Sequence, residues 1–219
     1  LLAVLRVGLT GGVASGKSSV AALLAARGAA VRDADALVAE LYEPGTMCGR
    51  AIAERFGVEV LAANGSVDRR ALGRLVLGDT EARRWLESVV HPEVRAAVTG
   101  WLERLDASLA PPAVAVVEAA LLVETGAWEE YDRLVVVTAP LPLRRQRAVA
   151  AGWDLDVFER MLAAQLDDAA REAVADYVVC NAGERGALAT AAGSLWAHLQ
   201  DDAAAPRPLQ RRRPALRLG

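Results

Sequence analysis

Apolar residues along this chain fall into two kinds of run. Val4-Leu5-Arg6-Val7-Gly8-Leu9, Ala29-Ala30-Val31-Arg32, Val114-Ala115-Val116-Val117, Leu134-Val135-Val136-Val137 and Tyr177-Val178-Val179-Cys180 are short and nearly continuous, as strands buried on both faces are. Between them, Ser18–Arg27, Ala36–Tyr42, Leu143–Ala151, Asp156–Leu166 and Arg185–His198 carry apolar positions at helical spacing. Strands separated by helices predict an α/β fold: a three-layer α/β/α arrangement around a five-stranded parallel sheet. Residues 46–106 break the alternation. Thr46–Phe56, Arg69–Leu77, Thr80–Val89 and Glu93–Leu105 all read as helices, separated by Gly57, Gly65, Gly78-Asp79 and His91-Pro92, and Pro111-Pro112 closes the stretch.

The resulting organisation is a core over 1–45 and 108–200, a helical insertion over 46–107, and a lid over about 141–168. Residues 201–219 remain as a tail. That tail holds Arg207, Arg211, Arg212, Arg213 and Arg217 against Asp201 and Asp202, so it carries +3 of a total of −3 and leaves −6 on the body. Its proline- and arginine-rich composition predicts a flexible, solvated end. An acidic body argues against nucleic acid as the main partner. No apolar run approaches the ~20 residues of a spanning helix, and Leu1–Leu9, broken by Arg6, is expected to be a strand and not a signal peptide. Leu1 is an unusual first residue and suggests a non-standard initiation codon or a trimmed chain. Cys48 and Cys180 form no C-x-x-C pair, and with His91 and His198 they make no metal cluster, so a reducing, cytoplasmic setting is expected.

The chemistry begins where the first strand ends. Gly11-Gly12-Val13-Ala14-Ser15-Gly16-Lys17-Ser18 is a complete G-x-x-x-x-G-K-[ST] phosphate-binding loop, placed between a predicted strand and a predicted helix. Glycines let consecutive backbone N–H groups curl around phosphate oxygens at the positive end of a helix. Gly12, Val13, Ala14, Ser15, Gly16, Lys17, Ser18 and Ser19 are therefore the expected ATP-binding residues, with Lys17 reaching the β/γ-phosphates and Ser18 as a Mg²⁺ ligand. Among 25 lysines and arginines Lys17 is the single lysine, and random placement would put it there roughly once in 219 trials. Asp33 and Asp35, two apart at the end of the second strand, are expected to face one cleft, or one of them to cap the next helix. Glu118 stands where a Walker-B-type carboxylate organises the water shell of Mg²⁺, or merely caps a strand end.

Phosphate loops serve switches, motors and kinases. An N-K-x-D guanine-reading segment is excluded because Lys17 is already used, and Val117-Glu118-Ala119 is a poor match to a motor's Asp-Glu strand end. Small size, a helical insertion and arginines after the fourth strand suit a small-molecule kinase with a lid.

From Val4 to Leu199 the sequence resembles the dephospho-coenzyme A kinase family, whose members catalyse the last step of coenzyme A synthesis. The resemblance rests on Gly8-Leu9-Thr10-Gly11-Gly12, Asp33-Ala34-Asp35, Asp68-Arg69-Arg70-Ala71-Leu72, His91-Pro92-Glu93-Val94-Arg95, Leu121-Leu122-Val123-Glu124, Gln165 and Ala175-Asp176-Tyr177-Val178-Val179-Cys180-Asn181-Ala182-Gly183. It implies ATP-dependent phosphorylation of the ribose 3′-hydroxyl of dephospho-CoA by a cytoplasmic monomer or weak homo-oligomer that uses Mg²⁺. It also implies Lys17, Asp33, Asp35 and Arg147 as catalytic residues, with Asp35 as base, and Asn181 and Gly183 against the adenine. Thr10, Asp35, Arg69, His91, Arg95, Leu121 and Glu124 are the implied substrate contacts. The family often has a second lid arginine where Ala151 stands and a proline in place of Ala120, which leaves Arg147, with Arg144 or Arg145, as the source of lid charge. Alternatives are another small-molecule or nucleoside monophosphate kinase on the same fold, or a non-catalytic ATP-binding regulator.

Overall fold

The computed structural model describes residues 4–76, 78–108 and 113–219, and the side chain of 185 is not described; Leu77 and the Pro111-Pro112 turn lie outside the described residues. The chain divides into two units, the first formed by Leu1–Arg32 with Leu102–Gly219 and the second by Asp33–Trp101.

The first unit is built on a sheet in the order β2-β3-β1-β4-β5-β6. Its strands are β1 Val4–Gly11, β2 Ala30–Asp33, β3 Ala113–Glu118, β4 Arg133–Thr138, β5 Tyr177–Cys180 and β6 Leu216–Leu218. Parallel pairing joins β3 to β1, β1 to β4, β4 to β5 and β5 to β6. The near-continuous apolar runs are explained by burial on both faces. Leu5, Val7 and Leu9 of β1 pack in one core with Val20 and Leu24 of α1 (Lys17–Ala25) and with Leu195 and Leu199 of α9 (Arg185–Ala204). Register sets Leu9 opposite Glu118, Gly11 opposite Val137 and Thr138 opposite Cys180, so the polar carboxyl ends of four strands share one sheet edge. At β1 the strand order reverses, the place where open α/β sheets bind ligands.

The sixth strand corrects the expectation of five, and it comes from the stretch expected to be a frayed tail. Arg211 meets Asp176 at 2.7 Å, Arg212 reaches the Tyr177 hydroxyl at 2.9 Å, and Arg213 donates to the Ala175 carbonyl at 2.7 Å. Composition alone showed a run of cations. It could not show that Asp176 and Asp202, only 0% and 4% exposed, sit buried elsewhere and need partners.

Five helices complete the second unit and the region after β4: α2 Ala34–Leu41, α3 Met47–Phe56, α4 Arg69–Val76, α5 Thr80–Ser108, and then α6 Leu141–Ala150. The last pair before β5 is α7 Leu155–Ala163 and α8 Asp168–Val174. The second unit has its own core of Tyr42, Cys48, Ile52, Val60, Val67, Leu72 and Val90. Two helices were expected on either side of His91-Pro92; one 29-residue helix, α5, runs through instead, with Pro92 inside it. A proline removes one helical hydrogen bond at a cost of ~3 kcal/mol, but His91 and Pro92 face solvent, while Val90, Val98 and Leu102 are buried along the same helix and hold it continuous. The helix expected over Asp156–Leu166 stops at Ala163, because Asp167 opens α8 by accepting the Ala170 N–H at 2.7 Å and the chain must turn between the two. The free cysteines Cys48 and Cys180 form no disulfide. No helix among the described residues is long and apolar enough to cross a membrane.

Candidate active site

The loop after β1 is shaped by three residues with positive φ: Gly11 at 152°, Ala14 at 56° and Gly16 at 98°. Gly16 precedes α1 and makes no side-chain cap to it, so the first N–H groups of that nine-residue helix are open to an anion. Glycine is demanded most strongly at Gly11, where a Cβ would lie 2.2 Å from the Val137 carbonyl oxygen, and its lack of a side chain also leaves room at two further points. A Cβ on Gly12 would fall on the guanidinium of Arg144, 2.7 Å from its Cζ, and one on Gly16 would strike the side-chain amide of Asn181. The Lys17 ammonium donates to the Gly11 carbonyl at 2.9 Å and, more distantly, to the Gly12 carbonyl at 3.4 Å.

Ser18 and Glu118 meet here. The Ser18 hydroxyl donates to Glu118 Oε1 at 2.7 Å, from the first turn of α1 to the last residue of β3. Two oxygen donors beside a phosphate loop suit Mg²⁺, which takes one or two protein oxygens and completes its shell with waters and phosphates. No group of three or more His, Cys, Asp or Glu able to hold a metal occurs among the described residues, so a dedicated all-protein cage is not the arrangement.

The helices after β4 grip the loop from its other side. Arg144, 4% exposed, donates from Nε to the Val13 carbonyl at 2.7 Å, while the Val13 N–H donates to Oε1 of Gln165 at 2.8 Å. The Ser15 carbonyl accepts from Asn181 Nδ2 at 2.8 Å and from Arg147 Nη1 at 3.3 Å. Arg147 Nη2 also donates to the Asn181 carbonyl at 3.0 Å, which ties the segment after β5 to the loop. Burial pushes the Arg144 pKa down; the Asp168 carboxylate opposes that and the Arg171 charge adds to it. Arg145 plays no part in this grip, since it forms an exposed pair with Glu159 at 2.7 Å. Ala151 caps the end of α6.

Two of the expected substrate contacts have hydrogen-bond partners within the fold. Thr10 is fully buried and its hydroxyl donates to the Ala120 carbonyl at 3.3 Å. Glu124 accepts from Arg171 at 2.6 Å and from the Leu166 N–H at 3.2 Å, and so anchors the α7–α8 connection to the segment after β3. Both residues thus have partners within the fold, Glu124 through Oε1 alone. Leu121 beside them is 44% exposed, and Gly183 is exposed beyond Asn181.

In the second unit, Asp33 caps α2, accepting from the N–H groups of Asp35 at 2.8 Å and Ala36 at 3.3 Å. The cap reading thus holds for Asp33, and Asp35 stands next to it in the first turn of α2. Arg69 opens α4 and lowers the Tyr42 pKa slightly against the larger effect of burial, which raises it. His91 and Arg95 stand four apart on the exposed face of α5. The residues to which sequence reading gave no role are Gln165 and, in its structural use, Arg144. Neither has a spacing signal, because each acts on a backbone group more than 130 residues away.

The family model for dephospho-CoA kinase matches residues 5–186. A dephospho-CoA kinase of Anaeromyxobacter dehalogenans is 46% identical over 198 residues, covering 89% of this chain and 92% of that protein. The dephospho-CoA kinase of Frankia casuarinae is 42% identical, covering 88% of this chain and 82% of its own length. Among solved structures, TT1252 from Thermus thermophilus superposes with a TM-score of 0.77 at 34% identity, over 90% of this chain and 98% of that one. A shikimate kinase from Acinetobacter baumannii, at TM-score 0.51 and 17% identity over 91% of this chain and 94% of its own, shares the fold alone.

Proposed function

The chain belongs to the dephospho-CoA kinase family, and we propose from that premise how its residues divide the work of moving a phosphoryl group from ATP to the ribose 3′-hydroxyl of dephospho-CoA. Phosphorylation of dephospho-CoA in coenzyme A biosynthesis is the activity of this family. The observation that carries the division of labour is the contact of Ser18 with Glu118 beside a loop that holds Lys17.

In this reading the open N–H groups of α1 and the loop bind the ATP phosphates, and the Lys17 ammonium exchanges its loop carbonyls for phosphate oxygens. Ser18 and Glu118 would hold Mg²⁺, the hydroxyl as a ligand and the carboxylate through the water shell. When bound, that ion neutralises charge on the β/γ-oxygens. Arg147, already aimed at the loop, adds a second cation near the transferred group, while Asn181 and Gly183 border the adenine. Asp35 orients the 3′-hydroxyl and accepts its proton, a contribution of ~10²–10⁴-fold. Arg69, His91 and Arg95, with Leu121, bind the diphosphate and pantetheine ends of the acceptor. Two unpaired cysteines suit a reducing cytoplasm, and a monomer or weak homo-oligomer suffices because the proposed residues all lie in one chain.

The test is ADP release with Mg²⁺-ATP and a panel of acceptors, with mass spectrometry of the product. Dephospho-CoA should react, and AMP, dTMP and shikimate should be largely ignored. A preference for AMP or dTMP would show a different kinase on this fold, and binding of ATP without turnover on any acceptor would show a regulator.

A further inference from the structure

Val13 is held at both of its backbone polar groups, the N–H of the peptide before it and the carbonyl of the peptide after it, and neither partner belongs to the loop. Gln165 lies in the turn between α7 and α8, and Arg144 lies in α6. From these two the contacts run on in a closed ring. Leu166, next to Gln165, donates to Glu124; Glu124 accepts from Arg171 at 2.6 Å; Arg171 meets Asp168 at 3.3 Å; and Asp168 meets Arg144 at 3.5 Å, which returns to Val13.

The conformation of the next residue explains the need for such a ring. Ala14 has φ of 56°, a left-handed conformation that costs a non-glycine residue of the order of 1–3 kcal/mol and persists only where the surroundings over-determine it. Arg144 holds the carbonyl on one side of Ala14, and Asn181 with Arg147 holds the Ser15 carbonyl on the other. Among the described residues, four of the five buried side-chain atoms without a hydrogen-bond partner lie around this ring: Ser15 Oγ, Glu124 Oε2, Arg144 Nη2 and Arg171 Nε. Polar groups are thus kept buried and partly unsatisfied at the loop, which a purely structural cluster would not require.

We infer that Gln165 is a positioning residue for phosphoryl transfer: by accepting the Val13 N–H it fixes the Gly12–Val13 peptide, while Arg144 fixes the Val13–Ala14 peptide that leads into the strained Ala14, and so the shape of the phosphate loop depends on the α7–α8 turn. The inference rests on the kinase reading above. Gln165 is half-buried at a helix end, so its carboxamide can be changed with little loss of core.

The experiment compares wild type, Gln165→Met, which keeps length without an acceptor, and Gln165→Glu, which keeps an acceptor. Amide hydrogen exchange at Val13, read by NMR on the full chain, should be slow in wild type and in Gln165→Glu and about tenfold faster or more in Gln165→Met, reflecting exposure of the opened amide. In Gln165→Met, kcat/KM for ATP should fall about 10²-fold, the scale of a 1 Å misplacement. KM for dephospho-CoA should stay within about twofold and the unfolding midpoint should barely move, because the Gln165 contact reaches neither the acceptor side nor the core. A Val13 amide that exchanges freely in wild type, or a Gln165→Met enzyme with unchanged ATP kinetics, overturns the inference. So does a loss that tracks the unfolded fraction. If wild type fails to phosphorylate dephospho-CoA, the functional reading fails instead, and the exchange of the Val13 amide still decides whether Gln165 holds the loop. Should Gln165→Met not fold, wild type and Gln165→Glu carry the test through that same amide.

Discussion

Two polar clusters sit at opposite ends of the strands in the sheet unit, and they treat buried charge differently. At the carboxyl ends, around the phosphate loop, Arg144 and Arg171 are 4% and 1% exposed, yet each keeps a buried nitrogen without a partner. At the amino ends of β4 and β5, Arg133 donates two bonds to Asp202, at 2.7 and 2.8 Å, and Tyr177 and Arg212 donate to the same carboxylate. Asp176 there accepts from the N–H groups of Leu134 and Arg212 and from the Arg211 side chain, each within 2.8 Å. No side-chain atom of this second cluster is among the buried atoms left unpartnered in the described residues. One region is saturated and serves stability. The other retains polar capacity and strain, as a site that must receive phosphates does.

The contrast is testable because the two regions should answer to different measurements. The largest effect belongs to Lys17→Ala, which should lower phosphoryl transfer by about 10³-fold or more, the scale of losing a cation on the transferred group, while leaving the unfolding midpoint unchanged. Loss of the circular dichroism signal in that variant would place Lys17 in the stabilising class instead. Next comes Asp35→Asn, expected to cut turnover by ~10²–10⁴-fold with ATP binding kept, since the amide preserves shape but accepts no proton. Asp33→Ala should cost about 0.5–2 kcal/mol of stability through the lost cap and leave the turnover of folded enzyme nearly intact. Reversal of these two outcomes in ADP-release assays would exchange the roles of the acids.

At the amino ends, Arg133→Ala strands a buried Asp202 and should destabilise the fold by ~3–5 kcal/mol in denaturant titration, with turnover per folded molecule unchanged. A fall in kcat without a fall in stability would erase the distinction between the regions. The smallest effect is on pH dependence. Burial, reinforced by the Asp202 carboxylate, pushes the Tyr177 hydroxyl from 10.0 up to about 12. A raised pKa means that the protonated form is favoured by folding, so its stabilisation is complete below pH 10 and is lost as pH climbs from 10 to about 12. Burial pushes Asp202 up too, but hydrogen bonds from Arg133 and Tyr177 outweigh it and hold the carboxyl below 3.8. That contribution is present above pH 3.8 and disappears as pH falls through the lowered value. Ultraviolet titration of tyrosinate together with melts across both limbs checks the pair, and Tyr177→Phe should abolish the alkaline limb and weaken the acid limb, since Asp202 keeps Arg133 but loses the Tyr177 hydrogen bond.

Local pattern carried most of the sheet and the loop. Val4–Gly11, the glycines of the loop and Lys17 announce themselves because period, φ preference and phosphate chemistry act over a few neighbouring residues. Asp33 shows the limit of such reading: spacing offered a cap or a catalytic acid, and only the bonds from the Asp35 and Ala36 N–H groups to its Oδ1 show the cap. His91-Pro92 shows it again, since a local breaker was overridden by packing along α5.

The order of residues was therefore enough for the phosphate loop, for the alternation that builds the β1, β3, β4 and β5 core, and for the family to which they belong. The partners of buried charge emerged only in the completed fold. Arg211 and Arg212 look solvated until Asp176, Tyr177 and Asp202 are brought to them, and Gln165 looks like a helix residue until Val13 arrives from 152 positions away. The cause is range. Propensity and turn chemistry are summed over adjacent residues, whereas desolvating a charge or pinning a strained peptide depends on whatever long-range folding places within about 3 Å.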